Sequence, residues 1–461
     1  ADEAPRAFSL SCNPDLTLDL LARRRDGGAD FLFAGQTNSE LPFMPGDAAI
    51  GENEFDVLLD GAATDFPLFG APREPVALAD YAAGLHAASI VPDGGTLQIG
   101  IGSLGEAMAQ ALVLRQRDND AFRTLLSRLG YDPARDAAVH AEKFDVGLYG
   151  CSELFVEGML DLFRAGILKR EVDGIVLHAG FFLGSRGFYK ALREMPRDTV
   201  KKFGMTAIGY VNELYHDEDK KRRARTNARF LNDAMMATAL GDVISDGLDD
   251  GRIVSGVGGQ YNFIAQSFAL ADARSAIVLR ATRNTKGKDR SNILWRYGHT
   301  TIPRHLRDMI ITEYGIADIR GKSDREVIAA MLAITDSRHQ GELLRQAKDA
   351  GKIEREFELP KTARDNTPEA IVRALKPAAD AGLLPLFPFG TDFTAIEQRL
   401  IPALQVLKSA SLPQLAALLM RGLGARAADV DCLDRLGLAR PKSVTEWLYA
   451  GLVRGALHAT S

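Results

Sequence analysis

The stretch Val254-Ser-Gly-Val-Gly-Gly-Gln260 reads as the apolar end of a strand opening into three glycines within four residues. Glycine has no Cβ, so such a loop takes φ/ψ values closed to other residues and lets backbone N–H groups approach a ligand closely. Outward from it, short apolar β-branched runs alternate with longer helical patterns. Strands are expected at Asp30–Ala34, Thr96–Ile99, Gly174–Leu177, Ser275–Leu279 and Asp308–Ile311. Helices are expected at Leu78–Ile90, Glu106–Leu114, Leu154–Leu168 and Asp324–Ile334, where apolar residues recur every three or four positions. Strands alternating with helices predict an α/β fold with parallel pairing and right-handed crossovers. Near Asn366 the texture changes. Thr367-Pro-Glu and Thr394-Ala-Ile-Glu397 are helix starts, the second a capping box, so a mostly helical extension is expected to the end of the chain.

The bulk properties narrow the function classes. A length of 461 residues is too much for one ordinary core, and roughly two to four domains are expected. The net charge of −5 argues against an electrostatic nucleic-acid binder. Cys12, Cys151 and Cys432 are odd in number and far apart, so they spell neither a disulfide framework nor a CxxC metal site, which fits a reducing cytoplasm. No apolar run reaches membrane-spanning length, and no basic-then-apolar signal segment opens the chain.

Several motifs carry less than they first suggest. Gly100-Ile-Gly-Ser-Leu-Gly105 is a literal GxGxxG, but a dinucleotide site needs a second strand ending in an acid about 20 residues on. The next stretch, Arg115-Gln-Arg-Asp-Asn-Asp, is polar and unlike a strand. Gly315-Ile-Ala-Asp-Ile-Arg-Gly-Lys-Ser323 has one residue too many between its glycines for a P-loop. The charge run from Asp217 to Arg223 reads as a solvated loop, and His299 and His305 stand apart from any ligand cluster. No GxSxG elbow is present.

The segment Val146-Gly-Leu-Tyr-Gly-Cys-Ser-Glu-Leu-Phe-Val-Glu-Gly158 runs from a short strand toward a helix. Ser152 is expected to cap that helix, which puts Glu153 in its first turn, where the unpaired N–H groups and the dipole stabilise a carboxylate. A first-turn glutamate is also ordinary helix chemistry, so position alone does not make it catalytic.

Taken together, these stretches resemble the acetyl-CoA hydrolase/CoA-transferase family. Ser152 through Gly158 are similar to its Thr-Glu-Met-Phe-Ser-Asp-Gly type motif, whose glutamate is the nucleophile. Thr96-Leu-Gln-Ile-Gly-Ile-Gly102 looks like its Gly-rich turn, and Ser255-Gly-Val-Gly-Gly-Gln260 like the loop that holds the thioester. Asn212 in Tyr210-Val-Asn-Glu213 resembles an active-site asparagine, and Glu313 matches a Thr-Glu-Tyr-Gly signature. Asn38, Pro42 and Phe182-Leu-Gly-Ser185 fit further family segments. The ordered set spans roughly residues 8 to 345.

The resemblance implies CoA-transferase-like α/β domains, the first half incomplete, followed by the helical extension. Domains are expected at 1–80 (remainder of the first half), 81–360 (the half carrying the nucleophile) and 361–461. It implies Glu153 and Asn212 as catalytic residues. Gln98, Gly100, Ile101, Gly102, Gly256, Gly258, Gly259, Gln260 and Glu313 are implied as residues that bind substrate and CoA, with oxyanion donors at Ile101 and Gly258. The implied activity is transfer of CoA between an acyl-CoA and a small carboxylic acid through a glutamyl-CoA thioester. Hydrolysis on the same site is one alternative, and a non-catalytic CoA-ester-binding module is another. CoA is expected as substrate, with no tightly bound cofactor, no metal and no nucleic-acid or membrane partner. A cytoplasmic homo-oligomer is expected. Departures from the family pattern are Ser152, Val156-Glu157, Tyr261-Asn262, Ser291-Asn-Ile-Leu294 and an apparent insertion at 115–145.

Overall fold

The computed structural model describes residues 6–70, 73–131, 139–285, 287–423 and 429–460. An eight-stranded sheet forms its centre. In chain order the strands are β1 (Thr96–Ile99), β2 (Tyr149–Phe155), β3 (Leu177–Phe182), β4 (Phe203–Met205), β5 (Arg229–Asp233), β6 (Arg274–Val278), β7 (Met309–Thr312) and β8 (Gly315–Asp318). Their spatial order is β8-β7-β6-β5-β1-β2-β3-β4. Every neighbouring pair is parallel except β7–β8, a tight antiparallel return at one edge. Strands covered on both faces read as continuous apolar runs, and all four residues of β1 are buried. From β1 the chain steps outward through β2, β3 and β4, then returns to lay β5 on the other side of β1. That reversal leaves a crevice at the carboxyl ends of β1 and β5, where open α/β sheets hold their ligands.

Helices α1 (Leu78–Ser89) and α2 (Gly102–Arg117) cover one face. Their buried Tyr81, Leu85, Met108 and Leu112 join the main core with Leu97 and Ile99 of β1. The opposite face carries α5 (Ile208–Asn212) and α7 (Gln260–Ala269), where Tyr149, Cys151, Phe230 and Phe263 pack together. α3 (Asn119–Arg128) and α4 (Glu157–Arg164) add Phe122, Leu125 and Met159 to the main core, and α6 (Glu218–Ala224) follows α5 in the chain.

Four expectations need correction. The strand expected at Gly174–Leu177 begins only at Leu177 and runs on to Phe182. No strand forms at Asp30–Phe33; a short strand, Ala34–Gln36, begins where that run ends. The helix expected from Leu154 starts at Glu157, because Ser152, Glu153 and Leu154 continue β2 in register with β3. Hence Glu153 lies in a strand and not in a first helical turn. Val254 belongs to no strand; the chain makes only an isolated bridge at Ile253 before the glycines.

The region 115–145 divides between the end of α2, α3 and residues 132–138, which lie outside the described residues. Arg115, expected in a polar stretch, is buried. Its guanidinium donates to the carbonyls of Glu142, Ala88 and Val91 and stacks 4.2 Å from the Phe144 ring. After α2 comes α3, and the described residues before β2 hold no second strand to complete a dinucleotide fingerprint.

The chain divides into two compact units, 1–281 with 292–390, and 282–291 with 391–461. The first includes the helix Pro368–Asp380, capped by Thr367, whose Ile371 and Leu375 enter the main core. The second consists of the hairpin Thr282–Thr285 with Lys288–Ser291 and helices built around Leu400, Ala403, Leu433, Val453 and Leu457. Its first helix, Ala395–Ser409, opens with the Thr394/Glu397 capping box.

Candidate active site

Glu153 sits near the carboxyl end of β2, and its side chain leaves the sheet on the face carrying α5 and α7. Two elements distant in sequence meet it there. The Gly259 N–H donates to Glu153 Oε2 at 2.5 Å, and Asn212 Nδ2 lies 3.5 Å from the same oxygen. Gly259 is the N-cap of α7, so the carboxylate faces the positive end of a helix, though not the helix that follows it in sequence. Asn212 is the last residue of α5.

The glycines of the loop have separate reasons. Gly258 has φ +57°, a conformation L-residues rarely adopt. Gly259 has an ordinary φ of −81° but no room: a Cβ there would lie 2.7 Å from Asn212 Nδ2 and closer still to Glu153 Oε2. The backbone can donate to the carboxylate only because that side chain is absent.

Burial pushes the Glu153 carboxyl above its ordinary range. The Gly259 and Asn212 hydrogen bonds pull the other way, and the Asp15 charge adds a smaller upward push. Desolvation raises the energy of the anion and the two donors hold its direction, an environment suited to a nucleophilic carboxylate.

The other sequence-derived residues fall into three groups. Gly100, Ile101 and Gly102 form the turn from β1 into α2. Ile101 is 60% exposed, although apolar, and its N–H and that of Gly258 make no hydrogen bond among the described residues. This turn lines a cavity of about 250 Å³ with Leu154, Met159 and Leu183, at whose edge Arg73 pairs with Glu106 and Glu157. Glu106 is pushed up to about 7 by burial, against the pull of Arg73. Gln98 and Gln260 are buried beside β5. Gln98 Nε2 reaches Asn232 Oδ1 at 3.3 Å and Gln260 Nε2 donates to the Asp233 carbonyl at 2.8 Å. Glu313 lies apart from Glu153. Its Oε2 accepts from Ala281 N–H at 2.7 Å just past β6, and burial lifts its pKa to about 7. No described contact involves Gly256 with Glu153.

Sequence reading missed several groups. Asp233, at the end of β5, is raised well above the usual carboxylate range by desolvation, and its Oδ1 has no partner among the described residues. Lys221, inside the run read as a solvated loop, is buried with Arg225 behind α5. Glu157, where the family motif has aspartate, bonds the Ser185 N–H at 2.6 Å and pairs with Arg73. No local signal distinguishes these residues, because each acquires its role from strands and helices far away in sequence.

Residues 184–347 match the family model described as acetyl-CoA hydrolase/transferase C-terminal domain; this stretch holds Asn212, the glycine loop and Glu313 but not Glu153. The chain is 24% identical over 325 residues to a 4-hydroxybutyrate coenzyme A transferase of Clostridium kluyveri, covering 69% of this chain and 65% of that one. It is also 24% identical over 322 residues to a succinyl-CoA:cyclohexane-1-carboxylate CoA transferase of Geobacter metallireducens, covering 69% and 64%. The chain therefore spans slightly under two thirds of the length of these relatives. Its fold is similar to that of RipA from Yersinia pestis, with a TM-score of 0.59, 23% identity and coverage of 75% and 68%. A 4-hydroxybutyrate CoA-transferase from Porphyromonas gingivalis superposes with a TM-score of 0.56 at 19% identity, covering 76% and 73%. The family-model match over residues 184–347 and the CoA-transferase relatives support assigning this chain to the acetyl-CoA hydrolase/transferase family, and the solved structures share its fold.

Proposed function

We propose that this protein transfers CoA between an acyl-CoA and a small carboxylic acid, with Glu153 as nucleophile. The observation that carries this reading is the Glu153 carboxylate itself. It is partly desolvated, faces the N-terminal end of α7, and is met by one backbone and one side-chain donor at the carboxyl edge of a parallel sheet. The names of the sequence relatives support CoA transfer as the reaction class.

In the proposed sequence, a Glu153 oxygen attacks the thioester carbonyl and CoA leaves as thiolate, giving an acyl-glutamyl anhydride. The thiolate attacks the glutamyl carbonyl, releases the acyl group as its carboxylate and forms a glutamyl-CoA thioester. An acceptor carboxylate attacks that thioester and expels CoA. The returning thiolate takes the acceptor's acyl carbon, which frees Glu153. Each attack builds an oxyanion. The Ile101 and Gly258 N–H groups, which have no other partner among the described residues, are the proposed donors to it, each worth about 3 kcal/mol in such a role. Gly259 and Asn212 orient Glu153 itself.

Hydrolysis is the same chemistry with water attacking the glutamyl thioester. The test of the shared intermediate is mass spectrometry of the Glu153 peptide after incubation with acetyl-CoA. A covalent CoA adduct on that peptide supports the reading. An unlabelled Glu153 peptide in protein that binds CoA supports a non-catalytic binding module instead.

A further inference from the structure

The two donors to Glu153 belong to different elements, and a buried polar bridge ties those elements together. Gln266 is 4% exposed and lies on α7, two turns beyond Gly259. Its Nε2 donates to the Asn212 carbonyl at 2.6 Å, and its Oε1 accepts from Arg225. Arg225, 2% exposed, also donates to the carbonyls of Tyr210 at 2.5 Å and Glu213 at 3.3 Å. Neighbouring Lys221 donates to the carbonyls of Gly209, Glu213 and Tyr215. No carboxylate pairs with either cation among the described residues. Both are used on the carbonyls around the end of α5, a five-residue helix too short to hold itself. Burying two cations without a counter-ion is costly; here Lys221 holds the segment that presents Asn212 to Glu153, and Arg225 holds both that segment and Gln266 of α7.

We propose that Gln266 and Arg225 are positioning residues that set the distance between the Asn212 amide and the Gly259 N–H, and so the attack geometry of Glu153. The inference rests on Glu153 acting as proposed above. Gln266 joins both frames by hydrogen bonds: its backbone belongs to the helix that Gly259 caps, and its amide grips the residue carrying the other donor. Arg225 fixes the orientation of that amide, because its guanidinium can meet only the oxygen.

Two substitutions separate positioning from stability. Gln266→Met removes both hydrogen bonds. Gln266→Glu keeps an acceptor for Arg225, and makes it an ion pair, but loses the donor to the Asn212 carbonyl. The expected result is that Gln266→Glu unfolds at a temperature close to that of wild type, while its kcat for CoA transfer falls about tenfold or more with little change in KM for acyl-CoA. Gln266→Met should lose similar turnover. A second readout needs no turnover: the pH at which Glu153 ionises, followed by peptide mass spectrometry after carbodiimide-driven amine coupling. It should move upward in Gln266→Met, which adds no charge near Glu153. Wild-type kcat in Gln266→Glu, or an unmoved Glu153 titration in Gln266→Met, would overturn the proposal. If wild-type protein transfers no CoA yet the Glu153 titration moves as expected, the positioning bridge stands and the assigned reaction fails.

Discussion

Gly259→Ala tests the site most directly. Its backbone, at φ −81° and ψ 5°, accepts alanine without strain, so the change acts through space and not through the chain. The new methyl would stand 2.7 Å from Asn212 Nδ2 and 3.0 Å from its Cγ, and nearer still to Glu153 Oε2. Ordinary contact with carbon begins at about 3.5 Å, so the amide must retreat by about 0.8 Å and the carboxylate by more. A displacement of about 1 Å at a reacting group costs on the order of 100-fold in rate. The fold should lose far less, because alanine in place of glycine at a helix N-cap costs about 1 kcal/mol or less. The assay is initial-rate CoA transfer from acetyl-CoA to a short-chain acid, set beside thermal unfolding of the same preparation. A fall of about two orders of magnitude in kcat with a nearly unchanged melting temperature is expected. Wild-type turnover would refute the reasoning, since the carboxylate could not then be acting from the place it occupies.

Other expectations follow from the same geometry. Glu153→Ala should abolish transfer while the protein stays folded, and Glu153→Asp should be nearly as severe, because one methylene withdraws the nucleophile by about 1 Å or more; the rate of CoA exchange measures both. The acid limb of the wild-type pH–rate profile should lie above the usual carboxylate range, because burial raises Glu153 and only its ionised form attacks. Gly258→Val combines a β-branched residue at φ +57° with a Cβ 3.3 Å from Glu153 Oε1, and should lower both the unfolding midpoint and turnover. Glu313 is raised from 4.5 to about 7, so protonation favours the folded state. Its stabilising contribution is complete below about pH 4.5 and is lost as pH rises to about 7, a change of roughly 3 kcal/mol in urea unfolding. Glu313→Gln should flatten that dependence, and an unchanged pH profile would remove the assignment. With acyl-CoA and an acid varied together, double-reciprocal plots should be parallel; free CoA released equally fast without acid would make the protein a hydrolase.

Much of the architecture was legible in residue order. Short runs such as Thr96–Ile99, bounded by glycines and too short for a helix, favour strands, and their alternation with amphipathic helices implies parallel pairing. Local capping chemistry marked the helices after Thr367 and Thr394, because a cap is made by residues three or four apart. The ordered motifs pointed to Glu153, Asn212 and the glycine loop before any of them had a position. Local reasoning failed where pairing overrode it. Ser152-Glu153 has the signature of a helix start, yet β3 supplies the hydrogen bonds that extend β2 through Phe155. The run from Asp217 looked solvated, yet Lys221 and Arg225 turn inward because the carbonyls at the end of α5 need donors there.

What the sequence determined by itself was therefore the layer architecture, the capped helix starts at Thr367 and Thr394 and the kinds of residue available for chemistry, since these depend on periodicity and on contacts within a few residues. Only the tertiary structure decided which N–H meets the Glu153 carboxylate, how far burial raises it, and that Gln266 joins its two supports. Those facts depend on elements about 40 to 110 residues apart in the chain, brought together by the crossover that sets β5 beside β1.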